Sequence, residues 1–299
     1  MKVHTFDLQF LGTPQAIAAF LLEVDNTSIL VETGPYSSIA QLESALMAAG
    51  KRPESLNAVL ITHIHLDHAG AAWYFAQKGI PVYMHPLGAP HMADPSKLLH
   101  SAQRIYGNQM EALWGTLKPI PQALIHTVSH GEELLIGNCR LRAWHTPGHA
   151  IHHVAWQVED TIFTGDVAGV RIGGGLVVPP CPPPDIDVEA WDQSIEILRK
   201  QSPKQLILTH FGAYSDVDYH LQELQERLHA WADWMRPYAE TDRPAHEIVS
   251  LFQDFVHQEL RAAGLNEQAI ARYEAANPSF MSVAGLLRYW KKKLEKQKN

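Results

Sequence analysis

Cysteine is nearly absent from this 299-residue chain: Cys139 and Cys181 are the two. That excludes a disulfide-rich scaffold and a thiolate zinc site. The pair could close one bridge, but two reduced thiols in a cytoplasmic protein is the reading adopted. No apolar run reaches the ~18 residues of a membrane span, so no membrane partner is expected. Met1–Leu22 carries Asp7 and Gln9 and lacks a small-residue cleavage site, so no secretion signal is expected either. Positive charge is in deficit, 24 Lys and Arg against 32 Asp and Glu, a formal −8. That is a poor start for gripping a phosphate backbone, and no nucleic-acid partner is expected. What is plentiful is apolar surface, 46% of residues, enough for a real core. Histidine is in excess at 18, which points to imidazole chemistry or imidazole metal ligands.

The first two thirds alternate short strands and helices. Strands are expected at Val3–Phe10, Ala16–Val24, Ser28–Glu32, Asn57–Thr62, Pro81–His85, Ala123–Val128, Glu133–Ile136, Cys139–Trp144, His153–Val158, Thr161–Thr164 and Gln205–Leu208. Helices are expected at Ser38–Ala49, Ala69–Lys78 and Asp187–Lys200, with residues 87–120 helix-rich but irregular. Val170–Pro184 is a loop with three consecutive glycines and five prolines, long enough to suggest a functional role. From Asp216 onward the pattern is helical: Asp216–Tyr238, Pro244–Ala263, Glu267–Ala276 and Ser282–Lys296. The division expected is a catalytic domain over 1–215 and a helical extension over 216–299.

The chemistry concentrates in Thr62-His63-Ile64-His65-Leu66-Asp67-His68. Three imidazoles and a carboxylate at one strand end must all find partners, and a metal is the ready solution. His63 and His65 share a face of an extended segment, while Asp67 and His68 lie past the turn. Three more strands end in ligand-type residues: His145-Thr146-Pro147-Gly148-His149, Thr164-Gly165-Asp166 and Thr209-His210. Strand ends are where α/β folds place their sites.

The ordered set His63-x-His65-x-Asp67-His68, His149, Asp166 and His210 resembles the metallo-β-lactamase superfamily, over roughly residues 1 to 215. The stretch from His145 to His153 is similar to its glyoxalase-II-like branch. The resemblance implies an α/β fold, a four-layer αββα sandwich with a C-terminal helical extension. It implies a dinuclear site in which His63, His65 and His149 hold one ion, Asp67, His68 and His210 hold the other, and Asp166 bridges both. The ions would be zinc, with iron or manganese as alternatives, since all-N/O ligation does not separate them. The activity implied is hydrolysis of a small ester, lactone or thioester by a metal-bridging hydroxide, which Asp67 could orient as a catalytic group.

Two other readings share the fold. A persulfide dioxygenase-like oxidoreductase uses one iron and leaves part of the ligand set unused, which retention of His68 and His210 opposes. A nuclease is opposed by the net negative charge. A tyrosine that quorum-quenching lactonases often carry three positions after the bridging aspartate is here Gly169, which weakens the lactonase assignment. The basic cluster with which glyoxalase II holds glutathione is not evident. His152 is read as a group near the metals or a satisfied strand-end histidine, and His153 as structural. Thr62 and Thr209 precede ligands and could orient them. The Gly173–Pro184 loop could wall the pocket, and the helical tail could cap it or form a homodimer interface.

Overall fold

Several strands of this chain are apolar on both faces, because both faces are covered. In the computed structural model, which describes residues 1–298, they form two six-stranded sheets. The first is ordered β1 (Lys2–Asp7), β2 (Ala18–Val24), β3 (Thr27–Val31), β4 (Ala58–Leu60), β5 (Val82–Met84) and β6 (Ile125–Thr127). The second runs β12 (Gly212–Tyr214), β11 (Gln205–Leu208), β10 (Thr161–Phe163), β9 (Val154–Val158), β8 (Cys139–His145) and β7 (Glu133–Ile136). Alternation along β2 shows the logic. Phe20 and Leu22 point between the sheets, toward Trp156, Phe163 and Ile207, while Ala19 and Leu21 point outward. Outside the first sheet pack α1 (Ile39–Ala48) and α3 (Ala72–Ala76), through Leu42, Leu46, Trp73 and Phe75. Outside the second pack α7 (Val188–Lys200) and α8 (Val217–Met235), through Trp191, Ile195, Leu198, Leu221 and Leu224. This is the expected αββα sandwich.

The last third is helical, as expected, with α8 followed by α9 (Ala245–Ala262), α10 (Glu267–Ala276) and α11 (Ser279–Lys298). Asn299, the final residue of the expected extension, lies outside the described residues. These helices share one continuous core with the second sheet, so they are packed on it rather than tethered to it. Tyr273, Tyr289 and Trp290 are buried in that core, whereas Phe280 is partly exposed.

Three local expectations change. The helix after the His-rich segment starts at Leu66, not Ala69, and breaks at Gly70 into α2 (Leu66–Ala69) and α3. β12 was not anticipated; it is three residues long and exists by pairing with β11. The irregular 87–120 region resolves into α4 (Ala89–Ala93), α5 (Ser96–Tyr106) and α6 (Met110–Trp114). Cys139 and Cys181 are both buried and unpaired.

Candidate metal centre

The two sheets are stitched together at one edge by backbone bonds. Ala18 N–H donates to the Thr209 carbonyl at 2.8 Å, and Val154 N–H donates to the Thr62 carbonyl at 2.7 Å. This brings four chain segments to one lip. His63 and His65 follow β4, and Asp67 and His68 occupy the first turn of α2. His149 lies beyond β8, Asp166 in the turn after β10, and His210 between β11 and β12. Gly165 permits the Asp166 turn. Its φ is +50°, and a Cβ there would stand 2.5 Å from Thr62 Oγ1.

All seven side chains expected to act converge. His63 Nε2 is 2.9 Å from His65 Nδ1, and His149 Nε2 is 3.2 Å and 3.1 Å from those two atoms. A second group gathers Asp67 Oδ2, 3.6 Å from His68 Nε2 and 3.5 Å from His210 Nε2. Asp166 stands between the groups. Its Oδ2 is 3.3 Å from His149 Nε2, and its Oδ1 is 3.2 Å from His68 Nε2 and 3.4 Å from His210 Nε2.

The donor set fits divalent cations. His68 Nε2, His210 Nε2 and Asp166 Oδ1 are buried without a hydrogen-bond partner. Buried polar atoms are rarely left so. In the first group three imidazole nitrogens face one another. The Nδ1 atoms of His149 and His210 must carry their protons, because each meets a carbonyl: Pro180 O at 2.8 Å and Ala16 O at 2.6 Å. Their Nε2 lone pairs are thereby aimed into the clusters, as metal-binding histidines require. His63 Nδ1 is likewise paired, with Thr62 Oγ1 at 3.0 Å. The fold implies divalent metal binding, and these His/Asp clusters are present to hold the ions.

Electrostatics separates the two groups. Burial, reinforced by neighbouring imidazoles, holds His63 and His65 well below the usual histidine range, so both rings are neutral and able to donate to a cation. Burial also lowers His149, against the pull of Asp166. Burial would raise the Asp67 carboxyl, but His68 and His210 outweigh it and bring it down to about 2. Burial would lower His68, but Asp166, Asp67 and Glu32 raise it well above normal.

Of the two threonines read as orienting groups, Thr62 touches its histidine. The Thr209 hydroxyl has no partner, and that residue contributes its backbone carbonyl instead. His145 stays outside the clusters, with Nε2 bonded to Val128 O at 2.9 Å and its ring against His85. His153 is fully buried and pairs with Thr146 Oγ1 at 2.8 Å. His152 faces the cavity, and its Nε2 is 4.0 Å from Asp185 Oδ2. Sequence reasoning missed Glu32, a fully buried carboxylate whose Oε1 lies 3.5 Å from His68 Nδ1. No local signal marks it, because Glu32 follows β3 and meets His68 only through the pairing of β3 with β4.

A cavity of about 600 Å³ opens onto the cluster. His65, Asp67, Asp166 and His210 form its floor. The proline run from Pro180 to Pro184 lines one wall, and residues 274–281 of the helical tail line another.

His/Asp clusters able to hold metal ions, at the lip of a double-sheet sandwich, define the class of fold. The sequence pattern of the Metallo-beta-lactamase superfamily matches residues 12–210, and the chain belongs to that superfamily. It is 27% identical over 222 residues to the metallo-beta-lactamase fold-containing protein ST1585 of Sulfurisphaera tokodaii, covering 71% of this chain and 79% of that one. The crystal structure of ST1585 superposes with a TM-score of 0.62, over 74% of this chain and 84% of that one, at 26% identity. The probable metallo-hydrolase YqgX of Bacillus subtilis is 33% identical over 159 residues, 52% of this chain and 67% of its own. TTHA1429 of Thermus thermophilus shares the fold over 99% of this chain and 94% of its own, with a TM-score of 0.68 at 19% identity. No helix among the described residues is long and apolar enough to cross a membrane.

Proposed function

We propose that this chain is a dinuclear metal-dependent hydrolase of small-molecule esters, lactones or thioesters, with zinc as the first choice of metal. The observation that carries the proposal is Asp166, whose two oxygens face two different ligand groups. In this reading His63, His65 and His149 hold one ion, and Asp67, His68 and His210 hold the other. Two bound divalent ions would lower the pKa of water toward neutrality and polarise a carbonyl oxygen.

The protein's own groups do the rest. Asp67 is ionised across the neutral range and faces the cavity. It can accept a hydrogen bond from an attacking water and orient it. Tyr106 also lines the cavity, and burial keeps its hydroxyl protonated, a donor for a developing negative charge. The resemblance of the His145–His153 stretch to the glyoxalase-II-like branch supports thioesters among the candidates. The YqgX relationship supports hydrolysis.

Elemental analysis of the purified protein, joined to rates on aryl esters, lactones and thioesters before and after chelation, tests the proposal. Two ions per chain and hydrolysis lost on chelation are expected. One iron per chain with no hydrolysis of any class would overturn it.

A further inference from the structure

The cavity above the cluster is polar at its floor, and the rest of its lining is mainly apolar, with scattered polar side chains such as Ser101 and Gln109. Its outer part is built by segments that the sandwich itself does not need. Helices α5 and α6 supply Ala102, Ile105, Tyr106 and Trp114, and the first turn of α11 supplies Phe280 and Met281. The two walls meet where the Tyr106 hydroxyl approaches the Met281 sulfur at 3.9 Å.

The rim is unusual. Ten large hydrophobic side chains are exposed among the described residues, and five of them line this one cavity: Leu11, Leu87, Ile105, Ile151 and Phe280. Exposed apolar surface gathered in one place marks a binding site. Charge is scarce on the walls. Lys97 is the one lysine or arginine there, and Asp185 and Glu274 are carboxylates beyond those at the floor. A phosphate-rich or carboxylate-bearing tail would find a single cation and two like charges.

We infer that the substrate is an ester or thioester of a medium or long, uncharged acyl chain, its carbonyl at the Asp67–Asp166 floor and its chain along the α5–α6 and Phe280 walls. The inference rests on the hydrolase reading for the scissile bond but on the cavity alone for the chain. A volume of about 600 Å³ is ample for such a ligand. Each methylene that leaves water for these walls should favour binding by about fourfold, less where packing is loose.

The test uses the metal-loaded full chain and p-nitrophenyl acetate, butyrate, octanoate and hemisuccinate. We expect kcat/KM to rise by roughly two- to fourfold per methylene from acetate to octanoate, and hemisuccinate to fall at least tenfold below butyrate. Ile105→Glu places a carboxylate on an exposed rim position and should lower the octanoate-to-acetate ratio at least tenfold. Ala102→Trp should lower it by filling the cavity, with melting curves confirming that both variants fold. Decanol binding, read by tryptophan fluorescence, gives a second readout that needs no turnover. Saturable binding lost in Ile105→Glu, with no ester hydrolysed, would overturn the hydrolase reading and with it the ester bond, and leave standing the assignment of the cavity to an uncharged alkyl chain. Hydrolysis indifferent to chain length, with no decanol binding, would overturn this inference and leave the hydrolase reading intact. Neither hydrolysis nor binding would overturn both.

Discussion

Glu32 and His68 face each other, fully buried, with 3.5 Å between Oε1 and Nδ1. The same Glu32 oxygen accepts from Thr62 N–H at 3.3 Å. One carboxylate therefore touches both the strand end that launches the His-rich segment and the back of a candidate ligand. Carboxylates placed behind metal-bound histidines fix the ring and raise its basicity. Glu32→Gln should weaken the ion held by His68 by about 10- to 100-fold and leave the ion at His63, His65 and His149 less affected. Competition titration with a chromophoric chelator would resolve the two affinities. Unchanged affinity at both sites would show that Glu32 serves only the fold.

Asp166 and His210 should differ in their effect on metal content. Asp166 faces both ligand groups, whereas His210 approaches only the second, with Asp67 and His68. Asp166→Ala should lower bound metal below two per chain and weaken both sites. His210→Ala should leave about one ion, bound nearly as tightly as before. Equal loss at both sites in His210→Ala would mean that the ligands are sorted wrongly.

The candidate ligands were legible because each is local, a histidine or aspartate just past a strand whose apolar run is itself readable. β7, β11 and α10 fall at the expected residues for the same reason. Glu32 was not legible, because its partner His68 is brought to it only by the parallel pairing of β3 and β4. β12 carries no signal of its own in three residues beginning with Gly212. The cavity walls were hidden for a related cause. The punctuating Pro90 and Pro95 made α4 and α5 read as irregular, yet both helices form around them. The sandwich itself was supplied by the family resemblance, since the order of strands in a sheet is not a local property.

Gly165 is constrained twice, by a φ of +50° and by Thr62 Oγ1 and His153 Nε2, which a Cβ would approach to 2.5 and 2.8 Å. Gly173 has a similar φ, +61°, with open space around it. Gly173→Ala should therefore cost only the backbone strain, about 1 kcal/mol or slightly more. Gly165→Ala should cost at least ~2 kcal/mol and lower metal content, because relieving the contact moves Asp166. Denaturant melts of the metal-free variants separate the two effects. Equal losses would mean that the turn yields without disturbing its neighbours.

Removing the metals should make the protein acid-sensitive, and the sign follows from which state holds the protons. Burial keeps His63, His65, His85, His145, His149, His152, His153 and His220 below the usual histidine value, His152 at about 3 and His85 and His220 at about 4. The unfolded chain protonates these rings near pH 6.5, while the folded chain resists until lower pH, so folding stability falls as pH drops below about 6.5. His68 and His210 act in the opposite sense. Burial opposes their protonation, but the carboxylates around them raise both, so their contribution is present below about 6.5 and fades as pH climbs through their raised values. Asp67, brought to about 2, adds a loss only below about pH 3.8. Eight lowered rings outweigh two raised ones. Each lowered ring costs up to about 1.4 kcal/mol per pH unit within its window. The metal-free protein should melt at least ~5 °C lower at pH 5 than at pH 7.5. Calorimetry in the presence of chelator checks this directly. A melting temperature that holds or rises toward pH 5 would mean that the site opens and takes up protons without loss of the fold.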